Sequence, residues 1–246
     1  MRKLIRLKQR MRWDVVLLAV APPSEFSVST VKLDNRASNF SSGMDTEHGM
    51  LRAGNVTLKR CIMGSYGVGP EQVVGEPDWV DTVPFDIVAK ADQPVEDDAV
   101  MNAMLQRLLA DRFKLVLHRE TRSLEAYVLE VDKKGAKLAV AMGGESSTNT
   151  STNQAGVTIS AHNTGMELLA EDLARAVDLP VVDQTGLKGI YNFTLHWTPD
   201  DLRTANNADS ISIFTAIEEQ LGLRLHATKA PVQVLVIDHV EKPSPN

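Results

Sequence analysis

The hydrophobic positions of this chain fall into short alternating runs and runs with helical spacing, separated by clusters of turn formers. Residues 25–33, EFSVSTVKL, are rich in β-branched side chains and predict a strand. The following DNRASNFSSGMDTEHG has turn formers and no period and predicts a loop. MLRAGN predicts a short strand. Thr57 then caps a helix whose apolar residues Leu58, Cys61, Ile62 and Tyr66 share one side, and Gly67, Gly69 and Pro70 end it. EQVVG and PFDIVAK predict strands on either side of EPDWVDTV. In PVEDDAVMNAMLQRLLADRF, acidic residues precede a helical face of Val100, Met104, Leu105, Leu108 and Leu109. KLVLHRETRSLEAYVLEVD predicts two strands joined at a polar corner. Residues 143–156, GGESSTNTSTNQAG, predict a flexible linker or a long exposed loop.

Beyond that segment the order returns. GVTISAHN predicts a strand, GMELLAEDLARAV a helix, PVVDQTGLKGIYNFTLHW two strands around a glycine turn, SISIFTAIEEQLGL a helix and RLHATKAPVQVLVIDHVEK a hairpin. An ungapped offset of 108 pairs Ala53 with Ala161, Asn55 with Asn163, Val73 with Val181, Val74 with Val182 and Phe85 with Phe193. The repeated grammar predicts an α+β fold of two tandem similar lobes, each a mostly antiparallel sheet with two helices on one face. The expected division is a leader or degenerate signal segment at 1–24, a first lobe at 25–142, the linker at 143–156 and a second lobe at 157–246. A cleft is expected where the lobes meet.

Composition narrows the function classes. Of 246 residues, 43% are hydrophobic and 24% charged, ordinary for a globular protein with a proper core. The formal charge of −6 disfavours nucleic acid and anionic lipid as partners. The single cysteine, Cys61, excludes an intramolecular disulfide and a thiolate zinc cluster. The basic MRKLIRLKQRMRWD leads into VVLLAVA, which reads either as a blurred secretory signal or as an amphipathic or disordered leader. No stretch approaches the roughly 20 apolar residues that span a bilayer.

Candidate chemistry is sparse. MGSYG, at 63–67, lacks the first glycine of a nucleophile elbow, and no phosphate-loop or dinucleotide glycine pattern occurs. None of the six histidines has a partner at zincin spacing. His118 and Glu120, beside Arg119, are the candidate catalytic pair for hydrolysis, or else a solvated charged turn. Oxygen ligands for calcium are densest in DDLRTANNADS, with Asp200, Asp201 and Asp209 as candidate ligands, and in VEDDA at 95–99. Neither fits an EF-hand, and both also read as polar approaches to a helix. These motifs establish no cofactor, and calcium is the one candidate. Trp79 between Asp78 and Asp81 is either a core plug or an aromatic anchor for a ligand.

The segments LRAGNVTLKRCIMGSYGV, VGEPDWVDTVPFDIVAK, LLADRFKLVLHRETRSLEAYVLEV, PVVDQTGLKGIYNFTLHWTPD and the stretch from IFTAIEEQ to the C-terminus together resemble a soil-associated acidobacterial family defined only as a domain of unknown function. That resemblance implies a secreted or periplasmic protein, since its members look exported and some form the C-terminal part of membrane metallopeptidases of the β-lactam-sensor type. It carries no catalytic residues over. The strand, helix and hairpin grammar is also loosely similar to short partner-binding domains of secretins and TonB-dependent receptors. The expected role is therefore an extracytoplasmic binding or sensory module for a small ligand, a peptide or a partner such as a membrane sensor protein. The alternative is a secreted hydrolase of small esters or lactones, with or without calcium.

Overall fold

The computed structural model of the chain describes residues 25–34, 42–202 and 210–243; the leader at 1–24 and the candidate ligand Asp209 lie outside them. The described elements are, in order, β1 (Val28–Leu33), β2 (Gly43–Glu47), β3 (Met50–Thr57), α1 (Leu58–Tyr66), β4 (Val73–Val74), α2 (Trp79–Thr82), β5 (Pro84–Lys90), α3 (Asp98–Phe113) and β6 (Val116–Val131). They continue with β7 (Ala139–Val140), β8 (Ser147–Asn153), β9 (Gly156–Thr164), α4 (Met166–Val177), β10 (Val181–Asp183), β11 (Tyr191–Trp197), α5 (Ile213–Ala216) and β12 (Leu223–His239). The fold is α+β, as expected, but the strands form three four-stranded sheets, ordered β1-β5-β3-β2, β10-β6-β12-β4 and β7-β11-β9-β8.

The first sheet is built from local signals. His48 and Gly49 both take positive φ, 48° and 80°, which suits a two-residue hairpin turn between β2 and β3. Part of the segment expected as a loop is thus the strand β2. The Thr57 hydroxyl accepts from the Arg60 N–H at 3.3 Å and starts α1, and Gly67 closes it with φ 65°. Leu58, Cys61 and Ile62 of α1 pack with Met104, Leu105, Leu109 and Phe113 of α3 on Leu51, Val56, Phe85 and Ile87 of the sheet, all nearly fully buried. Phe113 stands edge-on to Phe85, with ring centroids 5.2 Å apart.

The third sheet repeats the plan. Met166, Leu169 and Leu173 of α4 and Ile213 and Ala216 of α5 cover Ile159, Phe193, Leu195 and Trp197. A bulge breaks β3 between Ala53 and Val56, where Asn55 has φ 52°; Asn163 in β9 has φ 51°. Each asparagine N–H donates to a side-chain oxygen of the next strand, Asp86 at 3.1 Å and Asn192 at 2.9 Å. Because Val56 faces Phe85 and Thr164 faces Tyr191, the counterpart of Phe85 is Tyr191; the expected match to Phe193 is two residues out. The extra turn of α2 in the first half absorbs the difference.

The middle sheet overturns three expectations. Neither KLVLHRETRSLEAYVLEVD nor RLHATKAPVQVLVIDHVEK is a hairpin: β6 and β12 are single strands paired antiparallel along their whole length. Every residue from 118 to 123 and from 226 to 231 is paired across the ladder, so the chain makes no turn there. Their polar middles are instead the stretch between two cores. Leu223 and Leu225 at the start of β12 belong to the second core, and Leu235 and Ile237 near its end belong to the first. Leu129 of β6 likewise enters the second core. The two cores thus do not separate at 143–156, nor is that segment a free linker. Its STNTSTN forms β8, exposed throughout, with its backbone paired along β9; threonine suits such an edge, and no apolar face is needed there. The short strands cross over: β4 runs parallel to β12, and β10 parallel to β6.

Candidate functional site

The exchange of short strands brings the ends of α1 and α4 toward each other over the inner face of β12. Between them lies a groove of about 780 Å³. One wall runs from Met63 through Gln72, and the other is the outward side of α4 continuing into Leu179 and Pro180. The first wall is tied to the floor. The Gln72 side chain accepts from the Gly69 N–H at 3.0 Å and donates to the Gln233 carbonyl at 2.9 Å, while Arg119 donates to the Gln233 side chain at 3.1 Å. The second wall is tied through the Tyr127 N–H, which donates to the Pro180 carbonyl at 2.8 Å.

The lining is apolar along Val68, Val181, Pro231 and Leu235 and charged at its rim, where Arg60, Arg119 and Arg175 face Glu71, Glu167 and Glu171. Burial raises the carboxyl of Glu171 from its ordinary range, against the opposing pull of Arg175. Burial also raises the phenol of Tyr66, with Arg119 pulling the other way. A pocket of this size with a few placed polar groups suits a small molecule or a short peptide.

The residues singled out from sequence lie elsewhere. His118 and Glu120 share one face of β6 but sit about half exposed on the opposite side of the middle sheet. The His118 Nδ1 is 2.9 Å from both carboxylate oxygens of Asp238, a partner 120 residues away that a bulge in β12 turns toward it. Glu120 is 4.0 Å from His118 and is held by Arg122 at 2.9 Å, whose hydrogen bond lowers its pKa.

Trp79 and Asp81 share the single turn of α2, with Asp78 at its start. Trp79 packs at the margin of the first core, edge-on to Phe85 at 6.5 Å, with the Lys242 Nζ 5.8 Å from its ring. Asp81 lies 3.7 Å from Lys59, which also bonds Glu76 at 2.8 Å. Burial pulls the Lys59 pKa down, but the hydrogen bond and charge of Glu76 outweigh it and leave it raised. Asp200 and Asp201 lie on the rim of a second cavity, inside the second half. Among the described residues, no three His, Cys, Asp or Glu side chains converge as a metal site, and VEDDA caps α3 through Asp97, which accepts from the N–H groups of Ala99 and Val100. Cys61 is fully buried, and burial pushes its thiol up to about 12. No described helix is long and apolar enough to cross a membrane.

Sequence reasoning missed the groove residues Tyr66, Arg119 and Glu171, because each comes from a different element and only the strand exchange unites them. No curated protein and no solved structure matches the chain. Residues 59–240, which hold both long strands, the second core and all of the groove lining except Met44, match the family model described as "Protein of unknown function (DUF3738)", and the chain belongs to that family.

Proposed function

We propose that the chain is an extracytoplasmic binding module whose ligand, a small molecule or short peptide, lies in the groove between α1 and α4. The groove itself carries this reading: an apolar floor, a rim with charges of both signs, and walls anchored by hydrogen bonds to β12 on one side and β6 on the other. Rigid walls reduce the ordering cost of binding, and the mixed rim suits a ligand with both a cationic and an anionic group. The basic leader followed by VVLLAVA supports export, and a membrane sensor protein is the kind of partner an exported ligand-binder would report to. The matched order of elements in the two halves supports descent from one duplicated unit. Thermal-shift screening with amino acids, short peptides and peptidoglycan fragments tests the reading. A ligand that raises the melting temperature of the wild type but not of Arg119→Ala or Glu171→Gln supports it. A hit whose shift survives both substitutions places binding elsewhere.

A second reading, hydrolysis of small esters or lactones, rests on one observation: Asp238 holds the His118 ring, as an acid does for a general base. Turnover of chromogenic esters that is lost in both His118→Ala and Asp238→Asn supports it, and calcium dependence is checked by adding chelator. Turnover unchanged in His118→Ala removes it.

A further inference from the structure

The second cavity, about 740 Å³, lies between α4, the start of α5 and the inner face of the third sheet. It exists because a helix is short. The left-handed caps Lys114 and Gly222 follow the helical segments that precede β6 and β12. Counted back ten residues from those caps, Met104 fills the first core, 1% exposed, and Ser212 stands in its place in the second half. Serine cannot fill a methionine's volume, and Ser212 spends its hydroxyl on the Thr215 N–H at 3.0 Å. The space is walled by Tyr127, Val177 and Phe214, with Trp197 and Ile159 nearly buried behind them. Phe214 is 38% exposed, an unusual cost for a phenylalanine, and its ring leans on Tyr127 with centroids 5.3 Å apart.

The rim is acidic. Among the described residues, Asp172, Asp178 and Asp201 stand on this rim with one guanidinium, Arg175, which is already hydrogen-bonded to Asp172. Asp178 also ends α4, so the carbonyl oxygens of that helix's last turn add negative partial charge at the same place. A bare divalent cation would want six or more oxygens and is poorly served by carbon walls. An organic cation is served by both features, since aromatic faces attract it and carboxylates pair with it.

We propose that this cavity is a second binding site, distinct from the groove, for a small organic cation with an apolar body, such as an aryl- or alkylammonium compound. The aromatic walls take the body, and Asp178 and Asp201 take the charge. Because Arg175 and Asp178 line both the cavity and the groove, α4 connects the two sites.

The test is calorimetric titration of the full chain with benzyltrimethylammonium, with N-benzylacetamide as neutral control and phenylacetate as anionic control. Saturable one-to-one binding of the cation is expected, with the neutral compound at least roughly tenfold weaker and phenylacetate silent. Asp201→Asn and Phe214→Ala each weaken it by roughly tenfold, and Ser212→Met, which refills the space, abolishes it. Circular dichroism melts confirm that the variants fold, and Phe214→Ala, at an exposed position, serves where Ser212→Met does not. Equal affinity for the cation and the neutral compound, binding indifferent to both Ser212→Met and Phe214→Ala, or no saturable binding up to about 10 mM overturns the proposal.

Discussion

The two halves lay a helix over a sheet in the same order but fill the space beneath it differently. In the first, the sixteen residues of α3 reach across the sheet and deliver Met104, Leu105, Leu109 and Phe113 to a closed core. In the second, α5 has four residues and passes into a π-helical turn, Ile217–Leu221, before the chain enters β12. One half is a solid support, and the other encloses a cavity at the start of its short helix. The same order of elements can thus give a closed core in one half and leave space in the other, with helix length as the variable. The π turn belongs to the same difference, since such turns often occur at functional sites. It presents Gln220, whose amide accepts from the His196 N–H at 2.9 Å and donates to its carbonyl at 2.7 Å, closing the open edge of β11.

The sharpest way to break this comparison is truncation of one phenylalanine in each half. Phe113→Ala, in the closed core, is expected to cost about 3–5 kcal/mol in urea denaturation, whereas Phe214→Ala is expected to cost under about 1 kcal/mol. Equal losses would mean that the Phe214 ring is packed as tightly as that of Phe113. A smaller contrast concerns the glutamines. Gln220→Ala leaves both backbone groups of His196 without their partner and is expected to cost about 1–3 kcal/mol. Gln106→Ala removes a single bond to the Ser65 carbonyl and should cost about 1 kcal/mol.

The bulges should behave alike. Asn55→Ala and Asn163→Ala each replace a residue type that tolerates the left-handed region with one that does not, at about 1 kcal/mol, and glycine at either position should recover most of that loss. A cost confined to one site would argue against equivalent bulges. The smallest effect is at the hairpin turns. His48 is hydrogen-bonded to Glu96, which raises its pKa above the ordinary value. The folded state therefore holds that proton more tightly, so the pair's contribution is present below about pH 6.5 and is lost as pH rises through the folded-state pKa. Glu96→Gln should move the His48 titration midpoint downward in NMR. The β8–β9 turn has no histidine; it is held by Asn153, whose side chain accepts from the Ala155 N–H. It should show no matching step.

Residues whose role is set within a few positions of themselves were legible in the sequence. Thr57, Gly67 and the apolar face of α3 follow from capping and periodicity, whereas the recurrence of asparagine at 55 and 163 aligned the two halves without foretelling the bulges where both take positive φ. Strand length was not legible. The run from His118 to Ser123 is as polar as a turn, and only its pairing with Gln233, Val234 and their neighbours opposite shows that it stays extended. STNTSTN resembles a linker because an edge strand exposed on both faces needs no apolar residue. For the candidate sites, His118 and Glu120 were expected together at a polar corner, and they lie 4.0 Å apart on one straight strand instead. Asp238 and both cavities are products of long-range pairing that no local window contains.

The exchange of short strands also governs how the protein is made. Leu235 and Ile237 complete the core of the first half, and β4 has no parallel neighbour until β12 exists. A nascent chain emerging from the ribosome therefore holds an unfinished first half until β12 has emerged, with an apolar gap and an open sheet edge for chaperones to guard. A premature stop codon just before residue 235 would thus harm the first half, although it lies about 120 residues beyond α3.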